Sequence, residues 1–230
     1  MKPETATVKE QNEQRKADPL PRRVGLRSTG MLMTAEEFDA TPPHRWNPRF
    51  RYEIINGVLV VSPRPSPAER DPNEELGHWL RSCRDAHPNG SSLDSTLPEQ
   101  TVFCTPQRRH CDRAIWAGRG RSPDADTDVP TIVVEFVSSA KKDRVRDNQT
   151  KRDEYRTAGI RESWIINRFR RTMTVHRFAA KKRPIVVGES GSCATEFLPG
   201  FIRPLDRLLR TADSWERPAR KRPRARGDQS

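Results

Sequence analysis

No stretch of this 230-residue chain approaches the roughly 20 consecutive apolar residues that a membrane-spanning helix needs. Its N-terminus lacks the apolar core that a secretory signal carries. Apolar residues are scarce throughout, 33% of the total against 32% charged, so any core must be compact. The four cysteines, Cys83, Cys104, Cys111 and Cys193, form no CxxC pair. That argues against a zinc knuckle and fits thiols kept reduced in the cytosol. No internal repeat is visible. These absences point to one ordinary-sized domain with tails, soluble and cytoplasmic, with no membrane as partner.

What the chain has in excess is positive charge. Its formal net charge is +12 and its pI about 10.2, the footprint of a phosphate-rich partner such as nucleic acid. The plainer account is that basic tails produce the excess. Residues 217–226, RPARKRPRAR, hold six basic residues in ten, broken by prolines. Such a segment does not fold alone; it suits either a phosphate backbone or a solubilising role. Residues 1–29 are polar, contain proline and show no apolar periodicity, as a disordered leader would. The expected division is therefore a leader over 1–29, a domain over 30–212 and a basic tail over 213–230.

Between the tails the order of elements is that of an α+β protein. In MTAEEFDA, Thr34 and Glu37 have the spacing of a capping box and start a helix. RYEIINGVLVVS is two apolar runs joined by Asn56-Gly57, the strongest short signal for a type I′ hairpin. Leu76, Trp79, Leu80 and Cys83 form one stripe of a helix over 73–86. Strands are expected over 100–105 and 113–116, separated by a basic loop, PQRRH. A strand over 132–137, a helix over 144–158 stopped by Gly159, and strands over 163–166 and 172–177 follow. A weaker strand over 185–187 and a short helix over 205–210 complete a central sheet flanked by helices.

The segment TIVVEFV contains the most informative residue. Glu135 is a lone carboxylate inside an apolar strand, and an unpaired charge there is costly. A charged helix follows, with Asp147, Lys151 and Tyr155 at i, i+4 and i+8, and Asp112 lies upstream. Phosphodiester hydrolysis needs an activated water and positive charge on the developing phosphorane. A divalent cation held by carboxylates supplies much of both, and an ammonium nearby stabilises the rest. Magnesium takes oxygen ligands and keeps several waters, so two or three carboxylates suffice. Asp112 and Glu135 as metal ligands with Lys151 as the cation are the right types in a plausible order. Each also has an ordinary role: a turn acid at Asp112, a paired structural acid at Glu135, an i, i+4 surface pair for Asp147 and Lys151. Tyr155 in that position is more often packing than chemistry.

On these residues the chain resembles the Uma-type family of restriction-endonuclease-like proteins, a branch of the PD-(D/E)XK nuclease superfamily. The resemblance runs from about Met31 to Leu209. It covers MTAEEF, RYEIINGVLVVSP, the aspartate of CDRAIW, IVVEFVSS, the D-x-x-x-K-x-x-x-Y pattern from Asp147 to Tyr155, AGIRESWII and LPGFIRPLDRLL. It implies a restriction-endonuclease-like α/β/α core, a mixed sheet between helices. By the same resemblance Asp112 matches the aspartate of the "PD" half-motif and Glu135 the acid of the other half. The usual lysine position is Val137 here, and Lys151, on the following helix, matches the displaced lysine. Glu53, in the hairpin, would be a further acid at the site. Three positions depart from the pattern: Cys111 stands where proline precedes the aspartate, Ser138-Ser139 where serine–proline follows the strand, and Asn167 where an acid often closes the SWII strand. None of them removes an implied metal ligand.

The first reading is a nuclease dependent on Mg2+, with Mn2+ as substitute, cutting DNA. Asp112, Glu135, Lys151 and Glu53 would be its site, and Arg108, Arg109, Arg144, Arg146 and the basic tail its phosphate contacts. Superfamily members often cut both strands as dimers, which leaves a homodimer open. The second reading is a nucleic-acid-binding protein that keeps the fold and does not cut. A third, a metal site around Cys104, His110 and Cys111, lacks a fourth ligand.

Overall fold

Thr34 and Glu37 close the expected capping box. The Thr34 hydroxyl accepts the Glu37 N–H at 3.2 Å, and the Glu37 carboxylate accepts the Thr34 N–H at 2.8 Å. They start helix α1 (Ala35–Ala40) in a computed structural model that describes residues 21–87, 91–138, 144–178 and 183–215. Strands β1 (Phe50–Ile55) and β2 (Val58–Pro63) pair antiparallel about Asn56-Gly57. Both turn residues have positive φ, 52° and 74°, as a type I′ turn demands. Helix α2 (Pro67–Ala86) starts six residues before the expected position. The apolar stripe that marks the helix begins only at Leu76. The helix instead begins at a second capping box, in which the Glu69 carboxylate accepts the Ser66 N–H at 2.7 Å, and runs through Pro72.

The largest departure concerns PQRRH. Strands β3 (Leu93–Cys104) and β4 (Gln107–Ala117) make one long hairpin, and Gln107–His110 are its paired residues rather than a loop. Arginine and histidine read as loop formers in sequence, yet a sheet interior accepts them once each charge has a partner. The chain then forms β5 (Ile132–Phe136), α3 (Arg144–Thr157) and β6 (Glu162–Asn167), with β5 and β6 parallel. Gly159, at φ 92°, turns the chain after α3 as expected. Strands β7 (Thr172–Arg177) and β8 (Ile185–Gly188) follow antiparallel. A small pair, β9 (Ser192–Cys193) and β10 (Arg203–Pro204), precedes helix α4 (Leu205–Asp213).

The sheet runs β2-β1-β4-β5-β6-β7-β8, with β3 branching from β4. Because strand side chains alternate, each strand feeds two cores. On one face Ile115, Ile132, Val134, Trp164 and Ile166 pack under α2 and α4 with Leu76, Leu80 and Leu209. On the other, Ala114, Trp116 and Val133 pack with Val102, Cys104 and Tyr155 of α3. The expected sheet between helices is therefore present as an α/β/α sandwich.

Packing begins earlier than the reading of 1–29 as a leader allowed. Val24 is fully buried, bridges to Trp46 and joins the core beneath the β1–β2 hairpin. A three-residue apolar segment has no periodicity to detect, so this long-range contact left no local signal. Residues 1–20 and the basic tail from 216 onward lie outside the described residues.

Arg113, on β4, fastens α2 to the sheet. It is fully buried, and its guanidinium donates to the Asn73 carboxamide and carbonyl oxygens at 2.7 Å each and to the Thr96 hydroxyl at 3.1 Å. Burial lowers its pKa to about 10, which leaves it charged at neutral pH. Only a glycine at position 77 leaves it room: a Cβ there would lie 2.5 Å from Arg113 Nη1. Gly77→Ala, which would stabilise an ordinary helix interior, is therefore expected to destabilise this protein by about 1–3 kcal/mol in urea unfolding. A neutral or stabilising result would show that the guanidinium moves freely.

Candidate active site

Cross-strand pairs between β4 and β5 run Ile115↔Ile132, Ala114↔Val133 and Arg113↔Val134, and then stop. The next step would bring Asp112 opposite Glu135. There a side chain replaces the backbone, because the Asp112 carboxylate accepts the Phe136 N–H through Oδ2. Beyond this point β4 continues alongside β1, with Ile54 opposite Arg108. The two acids thus sit where neighbouring strands part, a place that leaves side chains without a covering ladder. Asp112 does not open a short strand after a loop; it is buried in the middle of β4.

Lys151 reaches into this opening from α3. Its ammonium lies 2.9 Å from Glu135 Oε1 and 3.7 Å from Glu53 Oε1, and it donates to the His110 carbonyl at 2.5 Å. Glu53 is held in turn by the His110 N–H, at 3.0 Å. Tyr155, one helical turn beyond Lys151, donates its hydroxyl to Glu135 Oε1 at 2.6 Å. The four residues proposed from sequence, Asp112, Glu135, Lys151 and Glu53, therefore converge, from β4, β5, α3 and β1. Burial pushes the Glu135 carboxyl up to about 7 from its usual value near 4.5; Lys151 opposes the rise and Asp112 adds to it. Burial also works against charge on Lys151, but Glu135 and Glu53 outweigh it and hold the lysine above its usual range. The ammonium is the fixed charge of the site, and Glu135 is the group that titrates.

Three participants leave no readable trace in the sequence. Arg51 donates to Asp112 Oδ1 at 2.5 Å and grips Glu99 with two further bonds. Glu99 stands in the left-handed region at φ 53°. Asn73 of α2 donates to the Asp112 carbonyl at 2.7 Å. Such contacts join positions 39 to 61 residues apart, and no local pattern announces them. Tyr155 is visible as the end of the D-x-x-x-K-x-x-x-Y pattern, where packing is the commoner role. It is both packed and bonded to the central acid.

The expected phosphate contacts need correcting at two positions. Arg108 and Arg109 are 8% and 1% exposed, and both pair with carboxylates: Arg108 with Asp39, Arg109 with Glu154. Lying in β4 rather than on a loop, they serve the fold. The Arg144 and Arg146 side chains lie outside the described residues. Cys104 and Cys111 are buried among apolar side chains; burial raises the Cys104 thiol to about 12 and Cys111 well above its usual value. Neutral thiols in such surroundings are poor metal ligands.

Compared with family models, the chain matches Uma2, described as "Putative restriction endonuclease", over residues 35–206, about three quarters of its length. The chain belongs to the Uma2 family. None of the curated proteins compared with it matches. Among solved structures it is similar to a putative nuclease belonging to DUF820 from Anabaena variabilis ATCC 29413. The TM-score is 0.60 at 15% identity, covering 78% of this chain and 99% of that one. At that identity the likeness speaks for the fold, and the sandwich is the restriction-endonuclease-like core that the resemblance implied.

The Uma2 site offers a cation only oxygen ligands. Among the described residues no group of three His, Cys, Asp or Glu side chains is arranged to hold a metal ion. Two adjacent carboxylates remain, Asp112 and Glu135. Glu135 Oε2 takes no hydrogen bond among the described residues, since both of its partners use Oε1. One or two carboxylates with waters making up the shell is the usual magnesium arrangement, so the donor set fits that ion better than zinc. Asp112 is engaged on both oxygens, by Arg51 and by the Phe136 N–H.

Because its folded pKa is raised, Glu135 adds stability that is complete below about 4.5 and is lost as the pH rises through about 7. A 13C NMR titration of its carboxyl is expected to show a midpoint near 7. Lys151→Met should move that midpoint higher, because the cation that favours the carboxylate is gone. A midpoint that stays put or falls would mean Lys151 is not what sustains the charge.

Proposed function

We propose that this Uma2 protein is a magnesium-dependent endonuclease that hydrolyses phosphodiester bonds of DNA. The observation that carries the reading is the convergence of two neighbouring carboxylates and a buried ammonium where β4 and β5 part. Family membership supports nuclease chemistry in general, and the DUF820 neighbour is itself called a putative nuclease. Magnesium, held by Asp112 and Glu135, would supply positive charge at the scissile phosphate and acidify a water.

The chain's own residues do the rest. Lys151 keeps its proton at physiological pH and sets a positive charge beside the carboxylates, where an anionic transition state gains most from it. Tyr155 and Lys151 both bind Oε1 of Glu135, which fixes the carboxylate and directs Oε2 away from them. Glu53 balances part of the lysine charge and is anchored to the β4 backbone. The Asn73 bond to the Asp112 carbonyl and the Arg113 clamp hold α2 against the same strand, so the site rests on rigid elements. The cytoplasm would keep the thiols reduced, and a homodimer would present two such sites to a duplex.

Cleavage of supercoiled plasmid tests the proposal. Nicking is expected with Mg2+ or Mn2+ and to be lost with EDTA. Glu135→Ala and Lys151→Ala should each lower the rate by at least about 100-fold. At limiting Mg2+ the wild-type rate should fall with acidity below about 7, because the protonated Glu135 carboxyl competes with the cation, and saturating Mg2+ should move the fall to lower pH. Metal-independent cleavage, or cleavage that survives both substitutions, would place the chemistry elsewhere.

A second reading, a binder that does not cut, is favoured by the engagement of both Asp112 oxygens, since Arg51 already fills the place of a cation. It predicts salt-sensitive binding without nicking. In either case the basic tail is expected to bind phosphates. Truncation after Trp215 should then reduce the slope of log affinity against log salt, by roughly 0.9 for each phosphate the tail neutralises. An unchanged slope would make the tail a solubilising segment.

A further inference from the structure

Arg51 is a cation at the site to which the proposed chemistry gives no task. It lies on β1, two residues before Glu53, with its side chain 19% exposed between two carboxylates. Glu99 takes two bonds from it, one from Nε at 2.6 Å and one from Nη2. Asp112 takes one, from the same Nη2 to Oδ1 at 2.5 Å. Burial works against charge on the guanidinium, but Glu99 and Asp112 outweigh it and hold the pKa above the usual range. Arg51 is therefore a resident cation on the carboxylate assigned to magnesium.

The two oxygens of Asp112 are not equivalent. Oδ2 accepts the Phe136 N–H, and giving up that bond would orphan a backbone donor where β4 and β5 part. A divalent cation must therefore enter at Oδ1, the oxygen that Arg51 holds. Oδ1 has a second lone pair, but using it would press two cations together across one oxygen. Glu99 offers the way out. Strands β3 and β4 pair Pro98 with Arg113 and Gln100 with Cys111, and Glu99 stands between them at φ 53°. A glutamate is strained in that left-handed region, and its side chain here closes a two-bond fork on Arg51. Glu99 is also the wetter partner, 29% exposed against 7% for Asp112, so a guanidinium drawn onto it alone recovers hydration.

We propose that Arg51 is a latch on the metal site, neutralising Asp112 and yielding Oδ1 to a divalent cation by withdrawing onto Glu99. The proposal rests on the magnesium reading and adds what guards the ligand. Calorimetric titration of the full chain with Mn2+ measures it. Arg51→Gln should tighten Mn2+ binding by roughly 10- to 150-fold, the worth of one charge-assisted hydrogen bond at about 1.4 kcal/mol per tenfold. Glu99→Gln should weaken binding, because Arg51 then has only Asp112 to hold. In the Arg51→Gln background the same Glu99 substitution should have little further effect, since Glu99 acts through the arginine. Removing a residue that merely shaped the site would weaken binding, so the sign decides. Should Arg51→Gln fold poorly, wild type labelled with 15N-arginine gives a second readout. Mg2+ should shift the Arg51 Nη2 resonance, while Nε, held by Glu99, stays. Unchanged or weaker Mn2+ binding in Arg51→Gln, or an Nη2 resonance indifferent to bound Mg2+, would overturn the latch and leave the magnesium site standing. No Mn2+ binding by the wild type or any variant would overturn both.

Discussion

The ion pair between Glu135 and Lys151 is the contact on which the rest of the site depends. An acid inside an apolar strand is tolerable only with a partner, and here the partner comes from α3. Lys151 and Tyr155 both spend their polar atoms on Glu135, and through them α3 is fixed against the second core. Asp112 extends the arrangement in the other direction. By accepting the Phe136 N–H it stands in for the ladder bond that β4 no longer offers, so the strands part without leaving a buried donor orphaned.

Much of the architecture was legible because local chemistry and global fold agree. The capping box at Thr34 and Glu37, the Asn56-Gly57 turn, the Gly159 stop and the strand over 172–177 need only short-range rules. Glu135 stood out because its burial could be inferred from its neighbours, and Lys151 because the resemblance placed it on the following helix. What escaped notice was long-range. Nothing beside Arg51 hints at Glu99 or Asp112, and nothing beside Val24 hints at Trp46. Arg108 and Arg109 misled for the converse reason: a basic run reads as surface unless its carboxylates, here Asp39 and Glu154, are known.

Those inward arginines change how the net charge is to be read. Arg51, Arg108, Arg109 and Arg113 are engaged with the protein's own carboxylates, carboxamides or hydroxyls. A pI near 10.2 therefore overstates what the folded domain holds out to a phosphate backbone. The guanidiniums in β4 act as buried struts, and exposed ones such as Arg70, Arg156, Arg207 and Arg210 lie on the outer faces of helices.

Helix α3 has a consequence for how such a protein can age. Its seat on the sheet is secured by the same charges that would do the chemistry, so a lineage that no longer needed to cut DNA could not simply shed Glu135. Losing the acid would leave a largely buried ammonium without its nearest carboxylate and loosen the helix above it. Decay of the activity would therefore leave a signature: the acid and lysine would vanish together, replaced by apolar residues, or both would persist long after their purpose had gone.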